Sequence, residues 1–271
     1  MRSELIHENK NIGEPGFNNF TGYVSIAASA PPHWSYDEEP IWGAIEDAAL
    51  PVPLRYPYAE CGIGQHQSPV DLADAKIVSA KPLNKLSAQY KTDTPTFFNT
   101  GHAIQVNTSK NFAGGLKVGK ELLPLIQLHF HEPSEHVFGG KKFPAELHFV
   151  HINKDGRIAV LGVVINIGKE NAVFQTILDN MPRHEGEANS PSRVRFNPAK
   201  LLPSGVNAAN LKYLTLAGSL TTPPCSEGVQ WYILTKSITI SADQLEQMKS
   251  FYHDNARSAQ SLNERSILSN Q

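Results

Sequence analysis

Only two cysteines, Cys61 and Cys225, occur in the 271 residues, and two so far apart cannot supply a thiolate zinc site; a disulfide and a pair of buried thiols both remain open. Long apolar runs are also missing. No stretch approaches the roughly 20 consecutive apolar residues that cross a bilayer, and the mean hydropathy of -0.31 agrees, so no membrane span is expected. Basic runs are absent too: 24 Lys and Arg stand against 26 Asp and Glu, giving a net charge of -2 without the electrostatic footprint that draws a phosphate backbone, so nucleic acid is not an expected partner. With Gly 19, Pro 19, 40% hydrophobic and 18% charged residues, the chain falls outside the collagen-like, disordered and coiled-coil classes. No internal repeat or low-complexity tract interrupts it.

What is present reads as short strands. The first 32 residues are polar, punctuated by Gly and Pro and without sustained periodicity, which predicts an extended arm (1–32) ahead of one domain (33–271). Ala28-Ser29-Ala30 has the small residues of a signal-peptidase site, but polar residues from Glu8 to Thr21 occupy the place of an apolar core, so no intact signal peptide is read. Beyond the arm, strands are expected at Phe97-Phe98, His102 to Asn107, Leu122 to His131, Ala145 to Ile152, Ile158 to Ile167, Leu211 to Ser219 and Val229 to Ile240. Helical spacing marks Asn171 to Asn180 and Ser241 to His253, the latter with Ser241 and Gln244 placed for a capping box. The expected fold class is β-dominated α+β: a single domain with peripheral helices.

Gln127-Leu128-His129-Phe130-His131 alternates polar and apolar residues, so on a strand both imidazoles point to one face. Ala145-Glu146-Leu147-His148-Phe149-Val150 repeats the alternation and can bring a third imidazole from a neighbouring strand. Three histidines leave one coordination position open, the pattern of catalytic rather than structural zinc. Gln127 and Glu146 each stand two residues before a candidate ligand on the same strand face, where an oxygen can accept the imidazole's other N–H.

Gln127 to His131, Ser134-Glu135-His136, Ala145 to His148, Gly218 to Cys225 and Gln67-Ser68-Pro69-Val70-Asp71 together resemble the α-class carbonic anhydrases, in order, from about His33-Trp34 to Asn263-Glu264-Arg265. The resemblance implies a large, mostly antiparallel twisted sheet and reversible hydration of carbon dioxide to bicarbonate and a proton by zinc-bound hydroxide, with a possible secondary esterase activity. It places the Zn2+ ligands on His129, His131 and His148. Gln127, Glu146 and the backbone carbonyl of Asn255 would orient those ligands.

Thr221 would orient the hydroxide and pass its own proton to Glu135, while His102 would shuttle protons to buffer. Val150, Val160, Leu220, Thr221, Thr222, Val229 and Trp231 match the substrate-binding wall, where an apolar surface suits carbon dioxide. Tyr36 and Asn99 resemble members of the water-ordering rim. The resemblance assigns no role to histidines 7, 66, 136, 151, 184 and 253.

Two departures separate this chain from animal members of the family: the rim has Thr100 and Gln105 where asparagines are common, and the loop after the second histidine differs. His131 is followed by Glu132-Pro133-Ser134-Glu135 rather than an aromatic-Gly turn and a longer loop, which resembles bacterial and plant members. Cys61 and Cys225 match the disulfide of secreted members, which implies a periplasmic or extracellular location. Beyond carbon dioxide and bicarbonate, no partner is implied.

Overall fold

The central strands of the sheet bury side chains on both faces, so along most of their length no position is left idle. The computed structural model describes residues 31–73, 76–77 and 83–270; the arm expected over 1–32 therefore lies, but for its last two residues, outside the described residues. Thirteen strands form among these: β1 (Lys76–Ile77), β2 (Leu86–Gln89), β3 (Thr96–Asn99), β4 (Ile104–Asn107), β5 (Gly115–Val118), β6 (Glu121–His131), β7 (Ala145–Ile152), β8 (Ile158–Ile167), β9 (Ala188–Asn189), β10 (Tyr213–Ser219), β11 (Glu227–Leu234), β12 (Ile238–Ile240) and β13 (Leu268–Ser269).

They join one sheet in the order β1-β13-β10-β11-β8-β7-β6-β4-β3-β9, with β12 on β8 and the pair β2-β5 on β6. Pairing is antiparallel except for β1 with β13 and β8 with both β11 and β12. The expected strand from Val229 to Ile240 is broken in two. Gln230–Ile233 pairs with Ala159–Gly162 and Ile238–Ile240 with Ile165–Ile167, so the intervening Thr235–Ser237 absorbs a two-residue shift in register.

Each face of the sheet carries its own apolar layer. Leu128, Phe130, Leu147, Phe149, Leu161 and Val163 point to the larger one, where Phe174, Ile177 and Leu178 of helix α2 (Ala172–Asn180) cover them. Spacing at i, i+3 and i+4 makes that helix face, and the Asn171 side chain accepts from the amides of Val173 and Phe174 to cap it. Each such fully buried side chain contributes about 1.5–3 kcal/mol. The smaller layer joins Val150, Val160, Val229 and Trp231 to Val70, Leu72 and Leu216.

Helix α3 (Ala242–Lys249) has the expected capping box between Ser241 and Gln244 but stops four residues before His253, where the Ser250 amide closes onto the carbonyls of Glu246 and Gln247. A short helix α1 (Glu60–Ile63) and a 3-10 helix over Tyr36–Ala44 were not foreseen. The latter contains Pro40, which cannot donate a backbone hydrogen bond, and it buries only Trp42, so it carries no amphipathic period.

Candidate metal centre

The centre of the sheet is where β6 and β7 pair, and their register sets the site. His129 lies opposite His148, His131 opposite Glu146 and Gln127 opposite Val150, so all six side chains share the face that looks away from the larger core. One ring nitrogen from each of His129, His131 and His148 lies within 4.8 Å of the others.

The opposite nitrogen of each ring is engaged. His129 Nδ1 is 2.9 Å from Gln127 Oε1, His131 Nδ1 is 2.7 Å from the Asn255 carbonyl, and His148 Nε2 is 3.0 Å from Glu146 Oε1. These oxygens are acceptors, so those nitrogens carry the protons and His129 Nε2, His131 Nε2 and His148 Nδ1 keep their lone pairs. His131 Nε2 is buried with no hydrogen-bond partner. Burial, followed by the neighbouring imidazoles His131 and His148, holds His129 well below the usual histidine range; burial also lowers His131. Neutral rings are the ligating form. Three convergent lone pairs, one of them a buried orphan, fit a zinc ion with a fourth position open.

Glu146 is held from four sides. Its Oε2 accepts the amides of Glu135 at 3.0 Å and His136 at 2.8 Å, while Oε1 faces His136 Nδ1 at 2.8 Å as well as His148. Burial alone would raise its pKa, but the His136 charge and the hydrogen bonds from His136 and His148 outweigh it and keep the carboxyl well below its ordinary value. An ionised Glu146 fixes the His148 tautomer that leaves the Nδ1 lone pair facing the other two imidazoles. His136, Glu146 and His148 also approach one another closely, but their near atoms are already consumed by these bonds. On β8, Gly162 lies opposite His148; a Cβ there would stand 3.2 Å from Glu146 Oε1.

Glu135 is fully buried. Its Oε1 accepts the Arg257 amide at 3.0 Å, and its Oε2 lies 3.4 Å from His131 Nε2 and 3.8 Å from His148 Nδ1. Oε2 makes no hydrogen bond, so the expected link from Thr221 to Glu135 is not formed here. Thr221 itself is buried, just past the end of β10. The Leu220 amide bonds the Ser226 carbonyl, the Cys225 amide bonds the Thr222 carbonyl, and a disulfide joins Cys225 to Cys61. Thr222 is half-buried in the same turn.

Five of the expected wall residues come together. Val150, Val160, Val229 and Trp231 are buried in one apolar cluster with Leu220 against it, and the Trp231 ring meets the His148 ring edge-on at 4.9 Å. His102 stacks on Trp34, with centroids 3.9 Å apart and planes 12° from parallel; Tyr36 approaches the same imidazole at 6.3 Å. The Tyr36 hydroxyl is buried without a partner, and burial together with the Glu135 charge raises its pKa well above the ordinary phenol. Asn99 departs from the expected rim role. It is buried, its Nδ2 donates to the carbonyls of Pro182 and Arg183 and its Oδ1 accepts the Gly101 amide, so the whole amide is spent holding the turn before His102.

Two residues missed from sequence complete the frame. His136, to which the resemblance assigns no role, holds Glu146 through its Nδ1 at 2.8 Å. Arg257, buried, donates to Gln67 Oε1 and the carbonyls of Ser68 and Cys61, so it ties the disulfide segment to the segment that supplies Asn255. Its signal lay in its side chain alone, since nothing in local spacing announces a contact across 190 residues.

Comparison with known proteins bears on this geometry. A family model described as eukaryotic-type carbonic anhydrase matches residues 54–271. A carbonic anhydrase of Pectobacterium atrosepticum is 35% identical over 248 residues, covering 90% of this chain and 93% of its own. Alpha carbonic anhydrase 7 of Arabidopsis thaliana is 31% identical over 259 residues, covering 93% and 92%. Among solved structures, the α-carbonic anhydrase from Thermovibrio ammonificans in complex with the inhibitor sulfanilamide superposes with a TM-score of 0.76 at 37% identity, over 88% of this chain and 100% of that one.

Proposed function

The chain belongs to the eukaryotic-type, α-class carbonic anhydrase family, and from that premise we propose that it hydrates carbon dioxide at a zinc ion held by His129, His131 and His148. The observation that carries this reading is the set of three imidazoles, each with one nitrogen held by an acceptor and the other turned into a common centre. When bound, zinc lowers the pKa of its water to about 7, a value established on carbonic anhydrases themselves, and so makes a nucleophile available near neutral pH.

The chain's own residues do the rest. Gln127, Glu146 and the Asn255 carbonyl hold the imidazole tautomers and planes. In this reading the Thr221 hydroxyl orients the nucleophile and Glu135 is the acceptor for the Thr221 proton. Val150, Val160, Leu220, Val229 and Trp231 offer an apolar wall to an apolar substrate, with Thr222 at its edge. His102 carries the released proton toward buffer, because imidazole exchanges protons near physiological pH, and Tyr36 borders that path.

The catalytic unit in this reading runs from residue 33 to 271. The Cys61–Cys225 disulfide favours an oxidising compartment, periplasmic or extracellular. No helix among the described residues is long and apolar enough to cross a membrane. A non-catalytic binding role on the same fold would not require all of His129, His131, His148, Thr221 and Glu135 to be intact. Stopped-flow carbon dioxide hydration with and without a zinc chelator tests the proposal. Hydration abolished by the chelator and restored by zinc supports it; hydration indifferent to metal removal overturns it.

A further inference from the structure

A second cavity lies away from the metal centre, on the larger-core face of the sheet. It has a volume of about 270 Å³, with Val118, Leu123 and Ala159 on its apolar side, Glu121 and Arg157 on its charged side and Tyr232 between them. That size falls just under the range of pockets for drug-sized molecules, so it suits one no larger than an amino acid. Leu123 stands six residues before His129 on β6, about 20 Å along a strand, so an occupant would not reach the metal ligands.

The two charges are held in place. Asn153, in the turn between β7 and β8, donates from Nδ2 to Glu121 Oε1 at 2.8 Å and accepts the Arg157 amide on Oδ1 at 2.8 Å, so one side chain positions both. Arg157 Nη2 in turn donates to Glu121 Oε2. This uses one of the guanidinium's donors; Nε and Nη1 have no partner among the described residues, and the carboxylate keeps further lone pairs. The Tyr232 hydroxyl also makes no hydrogen bond among the described residues, although the ring is buried.

We infer that this cavity binds a free α-amino acid with an aliphatic side chain. The carboxylate takes the open edge of Arg157, the ammonium lies on Glu121, and the side chain covers Val118, Leu123 and Ala159. Opposite charges one carbon apart in the ligand meet opposite charges already adjacent in the protein, so Arg157 and Glu121 need not separate. A simple anion would meet Glu121 beside its binding partner and a simple cation would meet Arg157, so each is repelled where the zwitterion is matched. A polyol would leave the apolar side without a contact.

The test titrates L-leucine by isothermal calorimetry into zinc-loaded wild type, Arg157→Gln and Glu121→Gln, with 4-methylpentanoate and isoamylamine as analogues that each lack one charge. Both substituted side chains are about half exposed, so neither change opens the core. Leucine should bind saturably, and each substitution should weaken it about tenfold or more, because each removes hydrogen bonds to a charged group. Both analogues should bind more weakly than leucine. Heats that never saturate at the solubility limit of leucine overturn the inference, and so does binding that both variants leave unchanged, which would lie elsewhere. Binding of 4-methylpentanoate as tight as leucine would show a plain anion site and overturn the match to a zwitterion. The readout is binding rather than hydration, so this result stands apart from the fate of the proposed activity.

Discussion

His151 offers a test of the core that is independent of the metal. It sits on the core side of β7, fully buried, with Nδ1 3.2 Å from the Ala159 carbonyl and Nε2 2.9 Å from the Tyr90 hydroxyl. A carbonyl only accepts, so Nδ1 holds the proton and Tyr90 must donate to Nε2. Burial, only partly opposed by the backbone hydrogen bonds at Ala159 and Phe149, lowers the pKa to about 3. The unfolded chain takes up a proton near 6.5.

Folding therefore binds fewer protons than unfolding between those values. The stability contributed by a neutral His151 is whole above about pH 7.5 and drains away as pH falls from 6.5 toward 3. At 1.36 kcal/mol per unit, the loss is about 3 kcal/mol by pH 4.5 and about 5 kcal/mol below pH 3. In the paired variant Tyr90→Phe/His151→Leu this slope is gone and no hydroxyl is stranded. Single His151→Leu leaves the Tyr90 hydroxyl without its acceptor, at about 1–3 kcal/mol. Urea unfolding at intervals from pH 7.5 to 4.5 reads the difference, and the contributions of His129 and His131 cancel because both proteins share them. Wild type should lose about 3 kcal/mol more than the paired variant over that range. Parallel curves would refute the claim that His151 is buried neutral.

His148→Ala should abolish both zinc retention and hydration, since two imidazoles undercoordinate the ion; stoichiometric zinc by elemental analysis would sink the ligand assignment. Glu146→Ala keeps the ligands but frees the His148 tautomer, and should weaken zinc affinity or activity by about 10–100-fold, a range drawn in part from carbonic anhydrase; an unchanged chelator off-rate with unchanged activity would remove it from the site. Gly162→Val should act through the same carboxylate, because the space beside Glu146 Oε1 closes, so zinc release should quicken; release at the wild-type rate would show that β8 yields. Reducing the Cys61–Cys225 bridge, which closes 164 residues, should cost up to about 5 kcal/mol in the chain-entropy model and lower the melting temperature without removing zinc. A melting curve indifferent to reductant would contradict it.

The site was legible where its chemistry repeats a local period. Gln127 and His129, and Glu146 and His148, are an acceptor side chain and an imidazole two residues apart on one strand face, so alternation alone selected them, and the register of β6 on β7 brings them together. Asn255, which holds His131 through a carbonyl 124 residues away, has no local period to announce it; only family resemblance pointed to it. His136 and Gly162 act through Glu146, one by a hydrogen bond and the other by making room, and such effects exist only after strands pair. Elsewhere, short strands such as β2 and β5 fell below the length at which alternation is readable, and the break between β11 and β12 depends on matching a parallel neighbour. Asn99 misled because its residue type suits a polar rim as well as it suits a turn.

The central claim, that three imidazoles hold one zinc on which hydration depends, is tested most directly by titrating metal-free protein with zinc while following carbon dioxide hydration by stopped flow. Activity should rise in proportion to added zinc and break sharply at one equivalent per chain, and His148→Ala should show no rise over the same range. Hydration already at its full rate before any zinc is added, or a His148→Ala titration that matches the wild type, would contradict it.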